Sequence, residues 1–126
     1  MDWKTAYQQK IVSAADAVKC VKSGDTVVVQ QAAGLDSRLA EVDQKITGVT
    51  ADRADELENV KIIGHNLWET PRFLQPQYAK SFRHISQFLD RGARQAYREG
   101  RVDPLPAFYC QMPKYYREHP ADVFFV

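Results

Sequence analysis

The sequence predicts an α/β domain built on an open, mostly parallel sheet with flanking helices. Three observations predict it. Short β-branched or alternating apolar runs recur at Thr26–Val29, Val60–Ile63 and Phe82–Leu89, each followed by a turn of small or polar residues. Segments with helical spacing lie between such runs, so that strand and helix alternate. The stretch Phe82–Pro106 holds one complete unit: an alternating strand, a turn, a helix over Asp90–Glu99 closed by Gly100, and the entry to another strand behind two prolines.

The elements follow in order. Trp3, Ala6 and Tyr7 are at helical spacing and predict a short helix over Trp3–Gln9. Ser13 opens a weak capping-box pattern with Asp16, and the helix behind it carries Ala14, Ala17, Val18 and Val21 on one face, with Gly24 as its C-terminal cap. Thr26–Val29 is β-branched throughout, which suits a strand covered on both faces. Gln30–Ser37 reads as the loop at its carboxyl end, Leu39–Ile46 as helical, Thr47–Asp52 as an irregular surface link, and Ala54–Leu57 as the last turns before the second strand, Val60–Ile63. Gly64, His65 and Asn66 follow that strand, and Pro71 and Pro76 punctuate a long connection to the third. Beyond it, the helix from Asp90 turns Ala93, Ala96 and Tyr97 inward. Ala107–Cys110 reads as the fourth strand, Pro113–Glu118 as a helix with proline at its first position, and Asp122–Val126 as the fifth strand.

Composition narrows the classes. A chain of 126 residues is one domain by length and long enough for a real core. Seventeen basic against sixteen acidic residues leave a charge of +1, with no basic excess for nucleic acid and no acidic tail. No apolar run reaches the roughly 20 residues of a membrane span, and the polar start MDWKTAYQQK lacks a signal peptide's apolar segment. Cys20 and Cys110 have no metal-type spacing and read as two buried thiols in a reduced, cytoplasmic protein. The histidines likewise have no spacing that argues for a metal, and His84, within the third strand, reads as structural. No phosphate loop, dinucleotide fingerprint or serine nucleophile elbow is present.

In such a sheet ligands collect at the carboxyl ends of the strands. That rim is predicted to gather Gln30–Gly34, Gly64–Asn66, Leu89–Gly92 and Cys110–Met112.

The opening KIVSAADAVKCVKSGDTVVV, the segment DELENVKI and the pattern FRHISQF…R…A…EGR.D..P together resemble the acetyl-CoA hydrolase/transferase group of family I CoA-transferases, whose members include 4-hydroxybutyrate CoA-transferases. The resemblance covers nearly the whole chain, apart from about Glu41–Ala51, which reads as an insertion. It implies a fold of the NagB/RpiA/CoA-transferase type, in which two similar α/β domains build one active site and this chain supplies most of the first. It also implies that a glutamate attacks an acyl-CoA thioester, giving a mixed anhydride and then a glutamyl-CoA thioester, before a carboxylic acid takes the acyl group or the CoA. Coenzyme A is then a substrate rather than a bound cofactor, and the partner is a second CoA-transferase domain or subunit, in an oligomer.

The resemblance places the nucleophile in the second domain, so Glu41, Glu56, Glu58, Glu69, Glu99 and Glu118 are not assigned to it. What it implies for this chain is the loop QQAAGLDS, where Ala33 and Gly34 let backbone amides meet the thioester oxyanion. The chain departs from the family's Gly-x-Pro with Gly34-Leu35-Asp36, and from its glycine turn with Leu89-Asp90-Arg91-Gly92. Gln31, His65, Asn66 and Gln111 are candidates for holding a small carboxylate or acyl carbonyl, against a structural or solvated role for each. Arg91 and Arg94, at the start of a helix, could meet a CoA phosphate or simply be solvated. A second reading, from a different class, is a non-catalytic homologue that acts through its exposed sheet edge as an oligomerisation or interaction module.

Overall fold

The structure is a computed structural model that describes residues 2–29, 46–64 and 70–125. Among the described residues five strands form one sheet: β1 (Thr26–Val29), β2 (Val60–Ile63), β3 (Phe82–Ser86), β4 (Val102–Pro104) and β5 (Val123–Phe125). All neighbours are parallel, in the order β4-β3-β2-β1-β5, so the predicted open parallel α/β sheet is what forms. The bounds of β1 and β2 coincide with those read from the sequence, because β-branched runs between turns leave little ambiguity.

One face of the sheet carries the core. Val27, Val29, Val60, Ile62, Phe82 and Val102 pack there against Ala51, Leu57, Phe73, Leu74 and Ala96. Each Val, Leu, Ile or Phe among these contributes about 1.5–3 kcal/mol when fully buried. Along β3 the alternation is visible residue by residue: Phe82, His84 and Ser86 are buried, whereas Arg83 and Ile85 are half-buried. Val28 is buried as well as Val27 and Val29, as expected for a strand covered on both faces. Phe73 wedges its ring against Phe82 at 6.4 Å and against His84 at 5.7 Å between centroids.

Helix α1 (Trp3–Gln8) forms where its spacing predicts, with Asp2 as N-cap, but it buries no side chain. At α2 (Ala14–Ala17) Ser13 caps as expected, its Oγ accepting from the Asp16 amide at 3.1 Å. This helix tightens into a 3-10 turn over Val18–Cys20 and stops before Gly24, whose φ of 86° serves instead the turn into β1. Gly100, with φ 74°, closes α4 (Arg94–Arg98) as predicted.

Several expectations are corrected. Residues 46–52 are helical (α3), not an irregular link, and Thr47, Thr50 and Ala51 are buried. The Thr50 hydroxyl donates to the Ile46 carbonyl at 2.7 Å, which lets a β-branched polar residue sit inside a helix. β3 ends at Ser86 rather than Leu89, because the Ser86 Oγ donates to the Phe88 carbonyl and curls the chain away. α4 begins at Arg94, since residues 91–93 form a turn capped by Asp90 Oδ1, which accepts from the Ala93 amide at 3.2 Å. Tyr97 is exposed, so Ala93 and Ala96 alone make that inward face.

The fourth strand is Val102–Pro104 and not Ala107–Cys110. Val102 faces the core and pairs with His84, whereas Tyr109–Gln111 is a 3-10 turn that enters α5 (Met112–Glu118). A proline closing a strand is tolerated at a sheet edge, which is where β4 lies. α5 starts at Met112, which puts Pro113 at its second position. Both cysteines are exposed rather than buried: Cys20 ends the 3-10 turn and Cys110 lies within the later one.

Candidate functional site

The carboxyl edge of the sheet is built, among the described residues, from Gly64 after β2, residues 87–90 after β3 and residues 105–107 after β4. Backbone and side-chain bonds stitch these segments together. The Gly64 amide donates to the Ile85 carbonyl at 3.3 Å, and the Leu105 amide to the Ser86 carbonyl at 2.8 Å. The Gln87 side-chain amide donates to the Ala107 carbonyl. Thr70 Oγ1 reaches the Gly92 carbonyl at 3.0 Å. Over this frame Phe88 and Tyr109 lie with ring centroids 5.5 Å apart. They are 42% and 59% exposed, and neighbouring Phe108 is 76% exposed.

The sequence-derived candidates fall into two groups. Gln31, Ala33, Gly34, His65 and Asn66 lie outside the described residues, as do Glu41 and Glu69. Arg91, Arg94 and Gln111 are described and exposed. Arg91 sits in the turn before α4, and Arg94 is the first residue of that helix. Arg94 Nε donates to the Leu89 carbonyl at 2.9 Å, so part of its guanidinium fastens the turn after β3. Gln111 is not at the end of a strand, because β4 ends seven residues earlier, at Pro104. It ends the 3-10 turn before α5, and its Oε1 accepts from the Phe108 amide at 2.8 Å. Arg91 and Arg94 thus share one turn, while Gln111 belongs to the next connection.

The remaining acidic and imidazole side chains have structural surroundings. Glu56 pairs with Arg53, Glu58 with Lys80, Glu99 with Arg101 and Glu118 with Lys114. His84 is completely buried, with Nδ1 2.9 Å from the Ile62 carbonyl oxygen, as a structural histidine should be. His119 is exposed against the Tyr115 ring. No group of three or more potential metal ligands exists among the described residues.

Some described ionisable groups are held away from their ordinary values by local partners or burial. A hydrogen bond from Arg83 holds the Asp103 carboxyl below its usual range, on strands β3 and β4. Burial pushes the Tyr115 hydroxyl up. A groove lined by Ala54, Leu57, Tyr78 and Ser81 lies at the amino ends of β2 and β3, the opposite end of the sheet from the rim.

Residues that shape the rim without having been singled out are Ser86, Gln87 and Thr70. Their hydroxyl and amide groups near a strand end were a signal for backbone capping, though not for which carbonyl each meets. Gly64 was placed at the rim by sequence. Its contact with Val29, thirty-five residues earlier, had no local signature.

An open, all-parallel α/β sheet gathers the connections after its strands along one rim, which is where such sheets bind ligands in general. Residues 1–120 match the acetyl-CoA hydrolase/transferase N-terminal domain. The chain belongs to that family. It is 28% identical over 125 residues to the 4-hydroxybutyrate coenzyme A transferase of Clostridium kluyveri, covering 98% of this chain and 28% of that protein. It is 32% identical over 124 residues to the butyryl-CoA:acetate CoA-transferase of Anaerostipes caccae, covering 94% of this chain and 25% of that one. Among solved structures, RipA from Yersinia pestis superposes with a TM-score of 0.79 at 19% identity, over 98% of this chain and 30% of RipA. A RipA variant gives 0.80, at 19% identity over 98% and 29% of the two chains. The chain therefore spans roughly a quarter to a third of the length of the proteins it matches. No described helix is long and apolar enough to cross a membrane.

Proposed function

We propose that this chain is the N-terminal domain or subunit of a CoA-transferase or acyl-CoA hydrolase that moves CoA between an acyl-CoA and a carboxylic acid. It supplies the oxyanion-side loop, with Ala33 and Gly34, and a second domain or subunit brings the attacking glutamate. The observation that carries this reading is the family match over residues 1–120. The names of the two transferases it resembles supply the substrate class: a CoA thioester and a short carboxylate.

Gln31, His65 and Asn66 are the proposed substrate contacts. Arg91, with a solvated guanidinium, is the better candidate for a CoA phosphate. Arg94 gives Nε and Gln111 gives Oε1 to backbone, which leaves the two terminal nitrogens of Arg94 and the Nε2 of Gln111 for a ligand. The ion pairs of Glu56, Glu58, Glu99 and Glu118 support a nucleophile from elsewhere. A reduced cytoplasmic setting fits two free thiols.

The test pairs intact mass with the encoding reading frame and a CoA-transfer assay. The chain alone should not turn over acetyl-CoA and a short carboxylate. Turnover should appear with a co-purifying or contiguous polypeptide that carries a glutamate. An intact 126-residue protein with no such partner would sink the reading.

A second reading has its own observation. β5 is an edge strand, and Phe124 on it is 56% exposed. An open edge with an apolar side chain is a template for association. On this reading the chain is an oligomerisation or interaction module, and light scattering should give a dimer or hetero-complex. A clean monomer counts against it.

A further inference from the structure

Gly64 is the first residue beyond β2, and it is buried. The pairing of Val28 with Ile63 and of Ile63 with Ile85, carried one residue further, sets Gly64 between Val29 and Ser86. All three lie at the carboxyl end of the sheet. A Cβ built on Gly64 would meet Val29 Cγ2 at 2.9 Å and His84 Cε1 at 3.7 Å. The first of these is closer than real Cβ atoms come to a neighbour. Its φ is not in the left-handed region, where only Gly24 and Gly100 lie among the described glycines, so space and not backbone freedom requires glycine here.

The surroundings decide what would yield. Gly64 itself is pinned by its amide bond to the Ile85 carbonyl at 3.3 Å. His84 is held by Ile62 and backed by the Phe73 ring. Val29, the last residue of β1, meets position 64 only through a side-chain carbon, so its side chain is the neighbour able to move. A methyl group at position 64 therefore displaces the Val29 side chain where β1 and β2 leave the sheet side by side.

We infer that Gly64 is a positioning residue: its missing side chain leaves the room that Val29 Cγ2 occupies between the carboxyl ends of β1 and β2, and so fixes the packing beneath the rim that handles the acyl-CoA. This rests on the acyl-CoA reading proposed above. It adds a steric gauge between two adjacent strands that touches no substrate atom. Displacing a positioned group by about 1 Å can cost on the order of 100-fold in a catalytic site.

The experiment compares the unsubstituted chain with Gly64→Ala, Val29→Ala and the double variant. Acetyl-CoA binding is measured by calorimetry, and the amide and methyl resonances by NMR. Gly64→Ala should weaken binding about tenfold or more. Adding Val29→Ala should return it to within about threefold, because the smaller side chain gives back the room the methyl needs. The Val29 methyl resonances should move in Gly64→Ala, and the Ile63 and Ile85 amides should regain their original positions in the double variant. Unchanged binding in Gly64→Ala, or no recovery in the double variant, overturns the assignment. If the unsubstituted chain gives no heat with acetyl-CoA, the acyl-CoA reading fails for the isolated chain, and the spectra alone decide Gly64. Val29 methyls that stay in place in Gly64→Ala then overturn it, and displacement of those methyls together with recovery in the double variant supports it.

Discussion

The two ends of this one sheet are finished differently. At the amino end, side chains serve the backbone at almost every strand entry. Ser23 Oγ accepts from the Glu58 amide at 3.0 Å, Asp122 accepts from the Thr26 amide at 2.8 Å, and Ser81 Oγ donates to the Ala54 carbonyl at 2.7 Å. Arg53 Nη1 donates to the carbonyls of both Val18 and Val21, joining the N-terminal turns to the segment after α3. At the carboxyl end, among the described residues, the stitching runs through residues 64, 70 and 85–107, and the Phe88, Tyr109 and Phe108 rings are 42%, 59% and 76% exposed. The amino end spends its polar groups on holding the fold. The carboxyl end, among the described residues, also ties backbone through Thr70, Ser86, Gln87 and Arg94. It adds the exposed Phe108 ring and the exposed Arg91, at the end of the sheet where α/β folds bind ligands in general.

If the contrast is physical, substitutions at the two ends differ in cost. Arg53→Ala removes the donor to two carbonyls, of which Val18's keeps the Val21 amide, and should lower unfolding stability by about 1–3 kcal/mol in urea titrations. Arg53→Lys should recover only part of it, since one ammonium cannot reproduce the guanidinium's spread of donors.

The Arg83–Asp103 pair gives a smaller, pH-dependent effect. Arg83 depresses the Asp103 pKa, so the pair stabilises the fold above the ordinary aspartate value of 3.8 and that contribution is lost as pH falls through the lower folded value. With side chains 43% and 51% exposed, solvent screening keeps the effect below about 1 kcal/mol. Asp103→Asn should correspondingly flatten the acid limb of a stability-against-pH curve. Phe108→Ser, at the 76%-exposed ring of the rim, should change stability by less than about 0.5 kcal/mol. A large loss there would break the comparison.

How much of this was legible in sequence follows from how local each signal is. β1 and β2 were readable to the residue because β-branched residues fill all four positions of the first and all but Lys61 of the second, between turns. β4 was not, because Val102-Asp103-Pro104 has only one core-facing side chain, and its strand character comes from pairing with His84 and Ile85. The apolar Ala107–Cys110 offered the stronger local pattern and none of the pairing. Helix α3 was missed for the same kind of reason. Gly48 and two threonines argue against a helix locally, and burial of Thr47, Thr50 and Ala51 against the sheet outweighs that propensity. For the site, the turn after β3 was legible as a rim segment, but the backbone duties of Arg94 and Gln111 depend on neighbours that spacing does not reveal.

The claim on which the rest depends is that ligands meet the carboxyl end of the sheet. It is tested most directly by following the backbone amides of the isotope-labelled chain during an acetyl-CoA titration. Shifts should concentrate at Gly64, residues 87–91 and residues 105–107, and leave Ser23, Glu58 and Ser81 unmoved. Shifts that cluster instead around Ala54, Leu57, Tyr78 and Ser81 at the amino end, or that are missing altogether, would contradict it.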